Sequence, residues 1–144
     1  MRDTNDTVKV LSRVPLFQSL KQQQLETLAM RLAERSYEPG DFIVTQGKGG
    51  TGFYVVCSGE AEAIQVRADG VKVVLNPLRK GDFFGELALL SDSVRTASVV
   101  AVEPTKCFIL TRWDFLGTLR NDVDMAVTIL QELAERFTRV MSTL

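Results

Sequence analysis

The chain has 144 residues, 45% of them hydrophobic and 24% charged, with a formal net charge of −1. That length matches one core, that balance excludes a disordered chain, and that charge excludes a global positive field for holding nucleic acid. Histidine is absent, which excludes Ser-His-Asp triads, Cys-His dyads, His-bearing zinc sites and the two-His-one-carboxylate iron site.

Residues 1–14 are expected to form a polar arm with weak helical character. A helix is predicted over 19–34: Ser19 and Gln22 fit a capping box, and Leu25, Leu28, Ala29 and Leu32 recur on one face. It must stop before Pro39-Gly40. From 36 to 111 short β-rich runs follow, at 42–45, 52–57, 61–67, 71–75, 96–102 and 105–110. Turns such as Pro39-Gly40-Asp41, Ser58-Gly59, Lys80-Gly81-Asp82 and Glu103-Pro104 separate them, and Asp69-Gly70 marks a hairpin. A short helix is predicted from Arg112 to Leu119, with Trp113 as its core anchor. Asn121 is placed to cap a long final helix, with Asp122 and Asp124 in its first turn and apolar residues from Ala126 to Met141 at helical spacing. The predicted class is α+β: an antiparallel β-roll flanked by an N-terminal helix and two C-terminal helices, in a single domain over 1–144.

Residues 81–98 interrupt the strand series. Gly85 permits a sharp turn into the short helix former Glu86-Leu87-Ala88-Leu89-Leu90. The first amides of such a turn are free to meet an anion, and Arg95 adds a two-pronged phosphate donor. Glu86 can accept hydrogen bonds from sugar hydroxyls. Two readings remain at this point: a pocket for one phosphate and one ribose, or a plain turn whose arginine pairs with Asp82, Asp92 or Glu86 at the surface.

The stretch from Phe84 to Ala97 resembles the phosphate-binding cassette of the cyclic nucleotide-binding domain family. That family's pattern is F-G-E-(L/I)-(A/S)-L-L, a short variable turn, then R-(A/S/T)-A. Gly40, Gly47, Gly59 and Gly81 fall where the family's β-roll glycines do, and the closing helices match in order. Val94 departs from the pattern, since many members have proline there. The resemblance implies that Arg95 binds the exocyclic phosphate oxygens of a 3′,5′-cyclic nucleotide and Glu86 the ribose 2′-hydroxyl. It implies a phosphate cradle of amides near Gly85, Leu87 and Ala88, completed by Thr96. Val73 or Val74, with Leu75, is expected to form an apolar wall for the purine. In the family the last helix often folds over the base, and here it offers Leu133, Arg136, Phe137 and Met141; plain core packing asks for the same stripe.

The implied function is a regulatory sensor that binds cyclic AMP first, cyclic GMP as the alternative, and signals through its C-terminal helices. The threonine hydroxyl at 96 permits cyclic GMP without demanding it. A family member that has lost its ligand and serves as an interaction module is a second class, opposed by the intact Gly85, Glu86, Arg95 and Thr96.

Other signals carry less. Q-G-K-G-G-T-G at 46–52 lacks the Walker A spacing and reads as a flexible hairpin loop. Asp82 with Glu86, or Glu60 with Glu62, read as turn and surface carboxylates, and no catalytic residue is assigned. Cys57 and Cys107 read as reduced, partly buried thiols, too few for an all-thiolate zinc site, so no metal or cofactor is expected. No apolar run nears the roughly 18 residues of a membrane span, and the first ten residues are too polar for a secretory leader. The chain is therefore expected to be cytoplasmic, without a membrane segment and without nucleic-acid binding on its own. The stripe of the last helix is also suited to pairing with its copy in a homodimer.

Overall fold

The computed structural model describes residues 4–50, 52–92 and 94–142. They fall into two compact units, one from Leu32 to Arg112, the other made of the segments before and after it.

The Leu32–Arg112 unit is the β-roll. Its strands are β1 (Ala33–Tyr37), β2 (Phe42–Val44), β3 (Gly52–Ser58), β4 (Glu60–Val66), β5 (Lys72–Arg79), β6 (Phe83–Phe84), β7 (Ser98–Ala101) and β8 (Thr105–Thr111). They form two antiparallel sheets in the orders β1-β8-β3-β6 and β2-β7-β4-β5. Residues of both sheets share one buried cluster: Tyr37, Val56 and Cys107 from the first, Ile43, Ala61, Leu78, Val99 and Ala101 from the second. Removing those apolar faces from water is what holds the two sheets together.

Two strands escape the sequence reading. In β1 only Tyr37 is buried, so no apolar alternation marks it. Its pairing with β8, from Ala33 opposite Ile109 to Tyr37 opposite Thr105, defines it instead. The two-residue β6 is defined by its antiparallel pairing with β3, Tyr54 opposite Phe84 and Val55 opposite Phe83. β5 runs on through Pro77 to Arg79, beyond the predicted run. Proline is tolerated there because β5 is the edge of its sheet. Between Ala63 opposite Asn76 and Ile64 opposite Val74 the register shifts, leaving Leu75 as the extra residue of a bulge.

The second unit contains α1 (Thr4–Ser12), a short 3-10 turn at Pro15–Phe17, α2 (Gln22–Met30), α3 (Arg112–Asn121, its first residue belonging to the roll) and α4 (Val123–Ser142). The expected polar arm is thus a helix over its described part, with Thr7, Val8 and Leu11 buried on one side. The predicted helix at 19–34 is shorter at both ends. Lys21 caps it, its N–H donating to Gln24 Oε1 at 2.9 Å. Ser19 does not cap; its hydroxyl donates to Glu132 Oε1 at 3.1 Å, beside Gln18 Nε2 at 2.9 Å. Both bonds go to a residue more than a hundred positions away, which no local pattern announces.

Two expectations for the C-terminal helices are corrected. Trp113 is 66% exposed, and the anchor is Phe115, fully buried with its ring centroid 5.8 Å from that of Phe17. Helical phase decides between the two positions. Asp122, not Asn121, caps α4, its Oδ1 accepting the Met125 N–H at 3.0 Å. No helix among the described residues is long and apolar enough to cross a membrane.

Candidate functional site

The roll carries a half-open pocket of about 520 Å³. Val44, Ala63, Leu78 and Val99, inward residues of the β2-β7-β4-β5 sheet, give it an apolar floor. Phe84, Gly85, Leu87 and Ala88 form one side, and Arg95, Thr96 and Asn76 supply polar groups.

Gly85 starts the side wall. Its φ of +85° belongs to the left-handed region, and it opens a 3-10 turn at Glu86–Leu89. A Cβ at this position would collide with Arg95 Nη1 and stand 2.8 Å from the Gly52 carbonyl oxygen, so both conformation and space require glycine. The turn is closed by the Ala88 N–H donating to the Gly85 carbonyl at 3.0 Å. The Ala88 amide is therefore engaged, and it joins a phosphate cradle only if this bond is exchanged.

Arg95 is positioned by its backbone as well as its side chain. Its N–H donates to the Lys48 carbonyl at 2.8 Å, and its carbonyl accepts the Gly47 N–H at 2.9 Å. Gly49 and Val94 form an isolated bridge alongside. Nη2 donates to the Gly52 carbonyl at 2.6 Å, while Nε is buried without a hydrogen-bond partner. The guanidinium carbon lies 5.8 Å from the centre of the Tyr54 ring, which stacks on Phe84 at 4.9 Å with the planes 1° apart. Burial pulls the Arg95 pKa below its ordinary value, with Tyr54 acting in the opposite direction.

The surface ion pair that competed with a phosphate role does not form. Arg79 pairs with Glu60, and Arg112 with Asp92. Asp82 accepts the Arg79 N–H at 2.8 Å. Arg95 is thus a half-buried cation with an unsatisfied donor and no carboxylate beside an apolar cavity. Such a charge is costly until an anion arrives.

The structure brings Gly85, Leu87, Ala88, Arg95 and Thr96 together around the cavity. Thr96 is exposed, and its carbonyl accepts from Gln65 Nε2 at 3.1 Å. Glu86 is half-buried beside them but does not line the cavity. Val73, half-buried, and Val74, exposed, are not among its lining residues. Across the bulge at Leu75, Asn76 lies opposite the cavity residue Ala63 and Val73 opposite Gln65, while Val74, opposite Ile64, is 56% exposed. Leu133 and Arg136, both half-buried, and the exposed Phe137 lie on α4 in the helical unit.

Sequence reasoning missed the 47–50 loop. Read as flexible, it holds the Arg95 backbone, and a Cβ on Gly50 would collide with Arg95 Nε. The surplus of glycines there was the signal. Tyr54, beneath the guanidinium, had none. Neither cysteine is in a disulfide, and burial pushes the Cys107 thiol up to about 12, which keeps it protonated at neutral pH. Among the described residues no cluster of three or more His, Cys, Asp and Glu is placed to hold a metal ion.

The family model described as the cyclic nucleotide-binding domain matches residues 34–122. The chain is 40% identical over 109 residues to the cAMP-dependent protein kinase regulatory subunit of Blastocladiella emersonii, covering 76% of this chain and 27% of that protein. It is 34% identical over 131 residues to the cGMP-dependent protein kinase egl-4 of Caenorhabditis briggsae, covering 85% of this chain and 17% of that one. The chain therefore spans less than a third of the length of either relative. Among solved structures, the N-terminal domain of a transcriptional regulator from Streptomyces coelicolor A3(2) superposes with a TM-score of 0.83 at 28% identity, covering 93% of this chain and 94% of that one.

Proposed function

The chain belongs to the cyclic nucleotide-binding domain family, and from that premise we propose that its cavity takes cyclic AMP in preference to cyclic GMP and signals occupancy through α3 and α4. The family is regulatory, and the domain is homologous to kinase regulatory subunits. The observation that carries the ligand assignment is Arg95, a half-buried guanidinium with an unpaired Nε at the edge of an apolar cavity. In this reading Arg95 takes the exocyclic phosphate oxygens and Glu86 the ribose 2′-hydroxyl. Backbone amides of the Glu86–Leu89 turn complete the cradle, and the apolar floor takes the purine. A cyclic phosphodiester fits because it brings one negative charge to meet one cation, with an apolar base to fill the remaining space. The ligand is bound without chemical change.

The preference for cyclic AMP rests on relatives named as cAMP-dependent kinase regulatory subunits, set against relatives named as cGMP-dependent kinases. Titration calorimetry with cyclic AMP, cyclic GMP and 5′-AMP tests the assignment. Both cyclic nucleotides are expected to bind, cyclic AMP more tightly, and 5′-AMP only weakly. Absence of binding by either cyclic nucleotide leaves an interaction module without ligand. Thr96→Ala is expected to change the ratio of the two affinities by roughly two- to tenfold, the range of one neutral hydrogen bond. A wild-type preference for cyclic GMP beyond about tenfold, abolished by that substitution, overturns the choice of cyclic AMP.

Signalling is assigned to α4 because its stripe is incompletely covered: Leu130, Phe137, Val140 and Met141 are all exposed. We propose that roll and helices act as one domain, with Leu133, Arg136 or Phe137 closing over the base. The same stripe fits a homodimer of two such chains in the cytoplasm, and the net charge of −1 disfavours nucleic acid as a partner of this chain alone. Amide hydrogen exchange across 121–142 is expected to slow when cyclic AMP is added. Identical protection in both states means that the domain binds without using this helix.

A further inference from the structure

Arg112 is the last residue of the roll and the first of α3. Its side chain is 11% exposed, and it donates to three backbone carbonyls. Nε donates to the Ala88 carbonyl at 2.9 Å. Nη2 donates to the Gly50 carbonyl at 2.8 Å and the Ser91 carbonyl at 3.2 Å, and meets Asp92 Oδ1 at 3.1 Å. Asp92 is 86% exposed, so solvent screens that pair and the carbonyls hold the group.

These contacts reach two separate segments. Ala88 and Ser91 belong to the end of the Glu86–Leu89 turn and the residues after it. Gly50 ends the 47–50 loop, which grips the Arg95 backbone through Gly47 and Lys48. One planar fork therefore ties the Glu86–Leu89 turn to the loop that holds the Arg95 backbone. We propose that Arg112 is the positioning residue of the phosphate site: it sets the gap between Arg95 and the Glu86–Leu89 turn, and links that gap to the first residue of α3. The inference rests on the cyclic-nucleotide reading above. Arginine is required because a planar fork with several fixed donors can hold carbonyls from two segments at once, whereas lysine supplies a single ammonium on a flexible stem.

The test is Arg112→Lys, titrated with cyclic AMP and with the two phosphorothioate diastereomers of cyclic AMP, which differ only in which exocyclic oxygen is sulfur. Cyclic AMP affinity is expected to fall by about 10- to 100-fold, the range for losing one or two hydrogen bonds to a charged group. The ratio of the diastereomer affinities is expected to move toward one, because a gap that is no longer set cannot distinguish the two oxygens. A merely structural role lowers both affinities together and leaves the ratio where it was. Wild-type affinity, or a weakened affinity with an unchanged ratio, overturns the proposal. If Arg112→Lys does not fold, the Nε–H resonance of Arg112 in the wild type decides: it is expected to shift on saturation with cyclic AMP, and an unmoved resonance overturns the proposal. A wild type that binds no cyclic nucleotide removes the functional reading itself, and this inference with it.

Discussion

Replacing Arg95 with alanine is expected to lower affinity for cyclic AMP by roughly 10- to 1000-fold while leaving the unbound domain close to its original stability. The binding loss follows from charge: a hydrogen bond to an ionised partner contributes roughly 1.5–3 kcal/mol, and a guanidinium can offer two to one phosphate. Little stability is lost because Arg95 contributes little to the unbound fold. Its Nε is buried without a partner, Nη2 has one carbonyl, and burial already disfavours its charge. What disappears is the Gly52 bond and a contact with the Tyr54 ring at 5.8 Å, the latter of about 0.5–1 kcal/mol. Against this, a desolvated cation is removed. Calorimetric titration and urea unfolding of the same preparation separate the two effects. Wild-type affinity excludes Arg95 from the site. A stability loss of more than about 3 kcal/mol makes it a structural tie instead.

Gly85→Ala is expected to be nearly as damaging to binding, at least tenfold, although it deletes no functional group. An alanine at φ +85° costs about 1–2 kcal/mol in the left-handed region. Its Cβ also enters the space of Arg95 Nη1 and approaches the Gly52 carbonyl oxygen to 2.8 Å. The carbonyl is backbone, so the guanidinium has to leave its slot, and the phosphate loses its charged partner. Gly70→Ala is the matched control. It has the same φ of +85° but nothing within 4 Å of a new Cβ, so it incurs the backbone cost alone. Both variants should lose comparable stability from conformation, with Gly85→Ala losing more, and only Gly85→Ala should lose ligand. Equal binding by the two means that the slot does not hold Arg95 for the ligand.

What the sequence determined by itself was local. The turns at Gly40, Gly59, Gly70, Gly81 and Gly85 were readable because each has a positive φ that side-chain-bearing residues avoid. The strands between them were readable where buried residues alternate with more exposed ones, as at the start of β8. The stretch from Gly85 to Thr96 was readable as the break in the strand series that carries a turn glycine and an arginine within a dozen positions.

Tertiary structure decided whatever depends on a distant partner. β1 is a strand because β8 lies beside it, and Ser19 is not a cap because Glu132 takes its hydroxyl. Phe115 rather than Trp113 fills the helical core, since two residues along a helix face directions about 200° apart and either aromatic satisfied the local pattern. The bulge at Leu75 set the phase of β5, pairing Asn76 with Ala63 and leaving Val74 exposed, because one extra residue reverses the alternation along the strand. The support of Arg95 by Lys48, Gly52 and Tyr54, and of the neighbouring turn by Arg112, spans separations of 20 to more than 40 residues. Hydrogen bonds and close approach at that range are set by how the sheets fold over one another, which no window of sequence contains.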